Sequence, residues 1–136
     1  MSKRNQYTYH QDGDVPDPND GMIFVFGSNL AGLHGKGAAL IAKHMYGAEQ
    51  FVGEGITGSA YALPTKDRWL RVRNVYDVKR SVCDFLRYAK EHPDKKFFVT
   101  RVGCGLAGFR DVDISVMFRG APPNCSFAKQ WRPYLQ

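Results

Sequence analysis

The chain has 136 residues, 43% of them hydrophobic and 24% charged, with a formal net charge of +6 and 14 glycines. That length suits one domain and argues against two, and the composition is that of a globule with a real core, not a disordered chain. No apolar run reaches the ~18 residues of a membrane span, and the polar start MSKRNQYTYHQDGD lacks a secretory apolar stretch, so a cytoplasmic protein with no membrane contact is expected.

Residues 1–20, with Asp12, Asp14, Asp17 and Asp20 among Gly13, Pro16 and Pro18, read as a polar N-terminal arm before a single domain over 21–136. The run MIFVFG (22–27) suits a strand buried on both faces. After the loop SNLAGLHGKG, the segment AALIAKHMY reads as a helix with Ala38, Ile41, Ala42 and Met45 inward and Gly47 as its stop. A second glycine-rich stretch, GEGITGS, leads to a strand AYALPT (60–65) and then the basic turn KDRWLRVR. The strongest helix is 75–91, where Val78, Val82, Phe85, Leu86 and Ala89 share one face; Asn74 or Asp77 caps it and His92-Pro93 ends it. KKFFVTRV (95–102) predicts a third strand, 111–118 a short helix with Ile114, Met117 and Phe118 inward, and NCSFA (124–128) a last edge strand. This β–α–β–α–β–α–β alternation predicts an α/β fold: a mostly parallel sheet with helices on both faces.

In such sheets ligands bind outside the carboxyl ends of the strands. Three unusual loops follow those ends here: SNLAGLHGKG, PTKDRW and GCGLAGF. Eight glycines lie between Gly27 and Gly58 and three between Gly103 and Gly108, as where a backbone must approach a partner closely. The first loop runs into a helix N-terminus, a natural anion site. It is no P-loop, because Gly37 follows Lys36 and Leu30 stands where a glycine is required. GCGLAG matches GxGxxG, but Ala128 occupies the place of the acidic residue that a dinucleotide site needs. Its backbone N–H groups can still wrap a phosphate.

Lys66 follows a strand end, where it is a solvated lysine, a phosphate partner or a catalytic amine. Asn29 orients a sugar hydroxyl or braces a turn. Lys66, Arg68, Arg71 and Arg73 form a basic strip with Trp69 inside it, a mix that suits phosphate contact and base stacking. Cys104 reads as a small buried side chain. Cys83, Cys104 and Cys125 make no CxxC pair, and the four histidines no metal-ligand spacing, so neither a disulfide framework nor a metal site is expected.

Together these loops resemble the macrodomain family of ADP-ribose-binding modules, nearest to antitoxin macrodomains that remove ADP-ribose from DNA. Asn29-x-x-Gly32-x-x-Gly35-Lys36-Gly37-x-Ala39-Leu40, Pro64-Thr65-Lys66 and Val102-Gly103-Cys104-Gly105-Leu106-x-Gly108 are similar to that branch's motifs and occur in its order. More loosely, the chain resembles small phage-encoded proteins. The resemblance implies a three-layer macrodomain-like fold with a mostly parallel, mixed sheet, and no cofactor. It implies that Ser28, Gly32, His34, Gly35, Lys36, Gly37, Thr65, Gly103, Cys104, Gly105, Leu106, Ala107, Gly108 and Phe109 bind the ligand. Lys66 would be the catalytic lysine and Asn29 a catalytic-site contact to the distal ribose. Ala107 stands where glutamate-specific relatives carry aspartate, which favours ADP-ribosylated nucleic acid as substrate. The family's early adenine-binding aspartate would have to come from the arm, from Asp12 or Asp14. The expected activity is hydrolysis of an ADP-ribosyl linkage. The alternatives are a non-catalytic reader or sponge for ADP-ribose, and plain nucleic-acid binding through Arg68, Trp69, Arg71 and Arg73.

Overall fold

A computed structural model describes residues 7–136; the arm's first six residues lie outside the described residues. Its first element is strand β1 (Thr8–His10), within the stretch expected to be an arm. β1 runs parallel to β6 (Cys125–Ala128), with Tyr9 opposite Phe127. β6 is therefore interior, a correction to its expected place at the edge, and all four of its residues are buried. The arm continues close to the body: Tyr7 donates to the Ala121 carbonyl at 2.7 Å, and the Tyr46 hydroxyl donates to the Pro16 carbonyl.

Strand β2 (Ile23–Asn29) is the expected apolar run, and β4 (Ala60–Lys66) pairs with it in parallel. Between them in sequence lie α1 (Gly37–Met45) and the short strand β3 (Gly55–Thr57). β3 turns back on β4 through Gly58-Ser59, a two-residue hairpin connection for which Gly58 adopts φ +59°. The glycine-rich stretch read as loop thus holds the one antiparallel strand among the described residues. Helix α2 (Val75–Glu91) follows, its start capped by the Asn74 side chain, then β5 (Phe97–Val99). β5 is shorter than expected: Thr100 still donates its N–H and hydroxyl to the Val25 carbonyl of β2 at 3.1 and 2.7 Å, and the chain then turns, Val102 N–H donating to the Thr100 carbonyl at 2.7 Å. Helix α3 (Asp111–Ser115) tightens into a 3-10 turn at Val116–Phe118, and α4 (Arg132–Leu135) closes the chain. The sheet order is β1-β6-β5-β2-β4-β3.

Period-two alternation splits the core into two layers. Ile23, Val25, Tyr61, Leu63, Phe97 and Val99 face α2, α3 and α4, where Phe85 meets the rings of Tyr61, Phe97 and Phe118 edge-on. Phe24, Phe26, Ala60, Ala62 and Phe98 face α1. Helix α1 is rotated from the expected face: Ala39 and Ala42 are buried and Met45 is exposed. The cause is Tyr46, whose ring stacks on Phe24 at 4.6 Å and fills the place expected for Met45. Among the described residues no helix is long and apolar enough to cross a membrane.

Candidate functional site

The carboxyl ends of β2, β4 and β5 open into a cavity of about 480 Å³. A register shift between Ser28 and Asn29 parts the ends of β2 and β4 there. Glycine at position 27 lets the chain after β5 close in, since a Cβ there would lie 3.3 Å from the Gly103 nitrogen. Gly103, at φ +78°, in turn carries Thr65 and Phe109 against its bare Cα. Ser28 and Thr65 line the base of the cavity, each tied down: Ser28 Oγ donates to the Gly53 carbonyl at 2.5 Å and Thr65 Oγ1 to the Ser28 carbonyl at 3.5 Å.

One wall is the start of α1. Lys36 is its N-cap, no side chain caps it, and the first backbone bond is Leu40 N–H to Lys36 at 3.3 Å. The N–H groups of Gly37, Ala38 and Ala39 have no acceptor among the described residues. The opposite wall is the loop after Gly103, closed by Gly108 N–H to Gly105 at 3.0 Å and Phe109 N–H to Gly103 at 2.8 Å. That closure leaves the N–H groups of Gly105, Leu106 and Ala107 equally without acceptors. A side chain at Gly37 would meet Leu106 at 3.8 Å, so the two walls come together at the mouth. Two sets of free amides on one cavity, with a helix N-terminus behind one set, make an anion bed.

Lys36, Lys66 and Arg101 bring positive charge to the same cavity. Among the described residues no carboxylate comes within ion-pair distance of either lysine, whereas Arg101 is held on both sides. Its Nη2 and Nε donate to Asp111 at 2.5 and 2.8 Å, and its Nη1 donates to Asp12 at 3.0 Å. Trp131 Nε1 adds a third hydrogen bond to Asp111 at 2.7 Å. The Arg101 hydrogen bonds hold the Asp111 carboxyl below its ordinary range, and Asp111 raises Arg101 further. Burial, with the nearby Asp111 charge, pushes the Cys104 thiol up to about 12, which disfavours the thiolate a nucleophile needs.

Of the residues expected at the site, Ser28, Asn29, Gly35, Lys36, Gly37, Thr65, Lys66 and Gly103 through Ala107 all line this cavity. Gly32, His34, Gly108 and Phe109 do not line it. Gly32 has φ +72° and a Cβ there would overlap the Phe51 backbone. His34 is 1% exposed, edge-on to Phe26, with Nε2 3.0 Å from the Glu49 carbonyl. The Asn29 amide braces its own turn, donating to the Leu33 carbonyl at 2.8 Å and accepting from Leu33 N–H at 3.0 Å. Asp12 reaches the cavity from the arm, while Asp14 lies on a separate shallow cleft beside His10 and Phe98. Thr100 and Arg101, just past the end of β5, and Leu70, in the turn after β4, line the cavity unannounced; the available signal for the first two was their place beyond a strand end.

The basic strip divides. The guanidinium carbons of Arg68 and Arg71 lie over the exposed Trp69 ring at 5.9 and 5.0 Å from its centre. Arg73 turns inward, its Nη1 donating to the Pro64 carbonyl at 2.8 Å and to Ser81 Oγ at 2.9 Å, while Ser81 donates to Glu54. Among the described residues no group of three or more His, Cys, Asp or Glu could hold a metal ion, and all three cysteines are unpaired.

The helix–sheet–helix layering, the mixed six-stranded sheet and the paired loops at its carboxyl edge define the three-layer α/β macrodomain fold. Among solved structures, the chain is similar to the macrodomain of Mycobacterium tuberculosis DarG. The two share 21% sequence identity at a TM-score of 0.61, over 87% of this chain and 94% of that one. At that identity the likeness is one of fold. No protein-family model matches the sequence, and neither does any curated protein.

Proposed function

We propose that the protein binds ADP-ribose in this cavity and hydrolyses an ADP-ribosyl linkage, with Lys66 as the catalytic residue. The observation that carries the reading is the pair of acceptor-free amide sets, at 37–39 and 105–107, on a cavity also lined by Lys66, which has no ion-pair partner among the described residues. A diphosphate fits between those amides, beside Lys36. The cavity volume falls in the range of about 300–1,000 Å³ usual for small-molecule sites. The distal ribose then lies toward Lys66. The adenine end lies toward Asp12, whose Oδ1 has no partner among the described residues while Oδ2 accepts from Arg101.

The bond from C1″ to its carrier breaks with oxocarbenium character. As an ammonium, Lys66 donates to the departing group and stabilises its charge. As a free amine, it adds to C1″ and water later displaces it. Either route consumes one water, which leaves its oxygen on C1″ and its protons on the released carrier and the ribose hydroxyl. The carrier is nucleic acid: position 107 is alanine, without the aspartate of glutamate-specific relatives, and the face beyond Lys66 presents Arg68, Trp69 and Arg71. Incubation with ADP-ribosylated DNA should release free ADP-ribose, and Lys66→Ala should lower the rate about 100-fold or more. No release by the wild type overturns the catalytic reading.

A second reading, a reader or sponge for ADP-ribose, is favoured by one observation: the Asn29 amide is already spent on its own turn. Titration calorimetry with ADP-ribose separates the two, since a sponge binds with heat and releases nothing from modified DNA.

A further inference from the structure

We propose that Trp69 is a stacking subsite, outside the cavity, for one unpaired nucleobase of the strand that carries the ADP-ribosyl group. This rests on the nucleic-acid reading of the cavity and adds the residue that recognises the carrier. The turn at 67–71 is rigidly built although none of its side chains belongs to the core. Asp67 Oδ1 accepts from Trp69 N–H at 2.8 Å and Arg71 N–H at 3.0 Å, Oδ2 accepts from Arg71 Nε at 3.2 Å, and Asp67 N–H donates back to the Arg71 carbonyl at 2.8 Å. Leu70 sits at φ +65°, a left-handed conformation that L side chains rarely adopt. A turn held this firmly, with strain at Leu70, presents a tryptophan that is 68% exposed. Burial of the indole does not explain it; display does.

The position and the chemistry of the turn select the occupant. Leu70 and Lys66 both line the cavity, so Trp69 stands on its rim, within about 11 Å of Lys66 along an extended chain. The Arg68 and Arg71 guanidinium carbons lie 5.9 and 5.0 Å from the ring centre, and Arg68 has no carboxylate partner among the described residues. A largely exposed aromatic ring beside two cations accepts a base on the ring and its phosphates on the arginines, without sequence preference. A paired base hides its face in the duplex stack, so the platform selects single strands.

The protein's own fluorescence reads this out. It has two tryptophans, and Trp131 is fully buried, so quenching by an added polynucleotide reports Trp69. An unmodified single-stranded oligonucleotide of about a dozen nucleotides should quench it, and the same sequence as a duplex should not. Saturating ADP-ribose should leave the quenching in place. By anisotropy with the labelled oligonucleotide, Trp69→Ala should weaken binding about 5- to 150-fold and Trp69→Phe should largely preserve it. Calorimetric affinity for ADP-ribose should be the same in both variants, which keeps failure of the platform apart from failure of the cavity. Three results overturn the proposal: no quenching by the single strand, equal binding by Trp69→Ala and wild type, or equal quenching by the duplex.

Discussion

Arg101 and Asp111 form a two-pronged ion pair, Nη2 and Nε of the guanidinium donating to the two carboxylate oxygens at 2.5 and 2.8 Å. It joins the residue just before the Gly103 loop to the first turn of the helix just after it, so it fixes both ends of one cavity wall. Each side chain is 27% exposed, so solvent screens the pair only in part. Asp111 titrates below its ordinary range, because Arg101 favours the charged form. A carboxylate lowered in this way stabilises the fold above its unfolded pKa of about 3.9, and that contribution disappears as pH falls through the folded value. Thermal melts from pH 7 downward should therefore lose stability below about pH 4. Asp111→Asn should be less stable at pH 7 and show a flatter acid limb. A parallel acid limb in the variant would assign the acid loss elsewhere.

Two glycines of the same loop should behave oppositely. Gly103 has φ +78°, and a Cβ there would lie 3.0 Å from the Phe109 ring and 3.2 Å from Thr65. Gly103→Ala should destabilise by about 1–3 kcal/mol, read from denaturant midpoints. Gly105 has open space around its Cα. Gly105→Ala should change stability by less than about 0.5 kcal/mol. It should still lower ADP-ribose affinity, because the added methyl stands where the diphosphate would approach. Unchanged affinity in Gly105→Ala would remove that amide from the binding site.

Cys104 is poised for protection, not reaction. Its thiol is pushed up to about 12, first by burial. Cys83 is exposed on α2. Brief treatment with iodoacetamide at neutral pH should label Cys83 well before Cys104, as measured by peptide mass spectrometry. Cys104→Ser should keep turnover within a few-fold of wild type. Loss of turnover in that variant would make Cys104 a reacting group after all.

Phe85 carries the larger core layer. Its ring is fully buried and meets Tyr61, Phe97 and Phe118 at 5.1, 5.4 and 6.1 Å. Phe85→Ala should cost about 3–5 kcal/mol of unfolding free energy. That is a large share of the roughly 5–15 kcal/mol a domain possesses.

What could be read from the chain tracks how local the cause is. β2, β4 and β5 announce themselves because burial on both faces leaves continuous apolar runs, and α2 because its buried stripe repeats within seventeen residues. β1 has no such signal. Thr8 and His10 are polar, and what makes them a strand is β6, more than a hundred residues away. β3 is three residues among glycines, ordered by its hairpin with β4. At the site, the backbone loops were legible because glycine spacing is a local property. Side-chain roles were less so. His34 and Arg73 look like ligand-facing groups in sequence, yet distant carbonyls of Glu49 and Pro64 take their ring nitrogen and guanidinium. The ion pairs of Arg101 gave no hint, since its partners lie 89 residues before it and ten after.

The segment carrying β1 and Asp12 belongs to the sheet and to the cavity together. A chain beginning at residue 21 would bare one side of β6, a fully buried strand, and remove a carboxylate from the cavity wall. Exposed strand edges of that kind recruit one another. Such a shortened chain should scatter light as it associates and bind ADP-ribose less tightly, whereas replacing Asp12 alone by asparagine should affect the ligand and leave the protein monodisperse. The stretch from β1 to Asp12, which reads in sequence as part of a polar arm, thus works as a selvedge, finishing the cloth at one side while holding the mouth of the pouch cut into it.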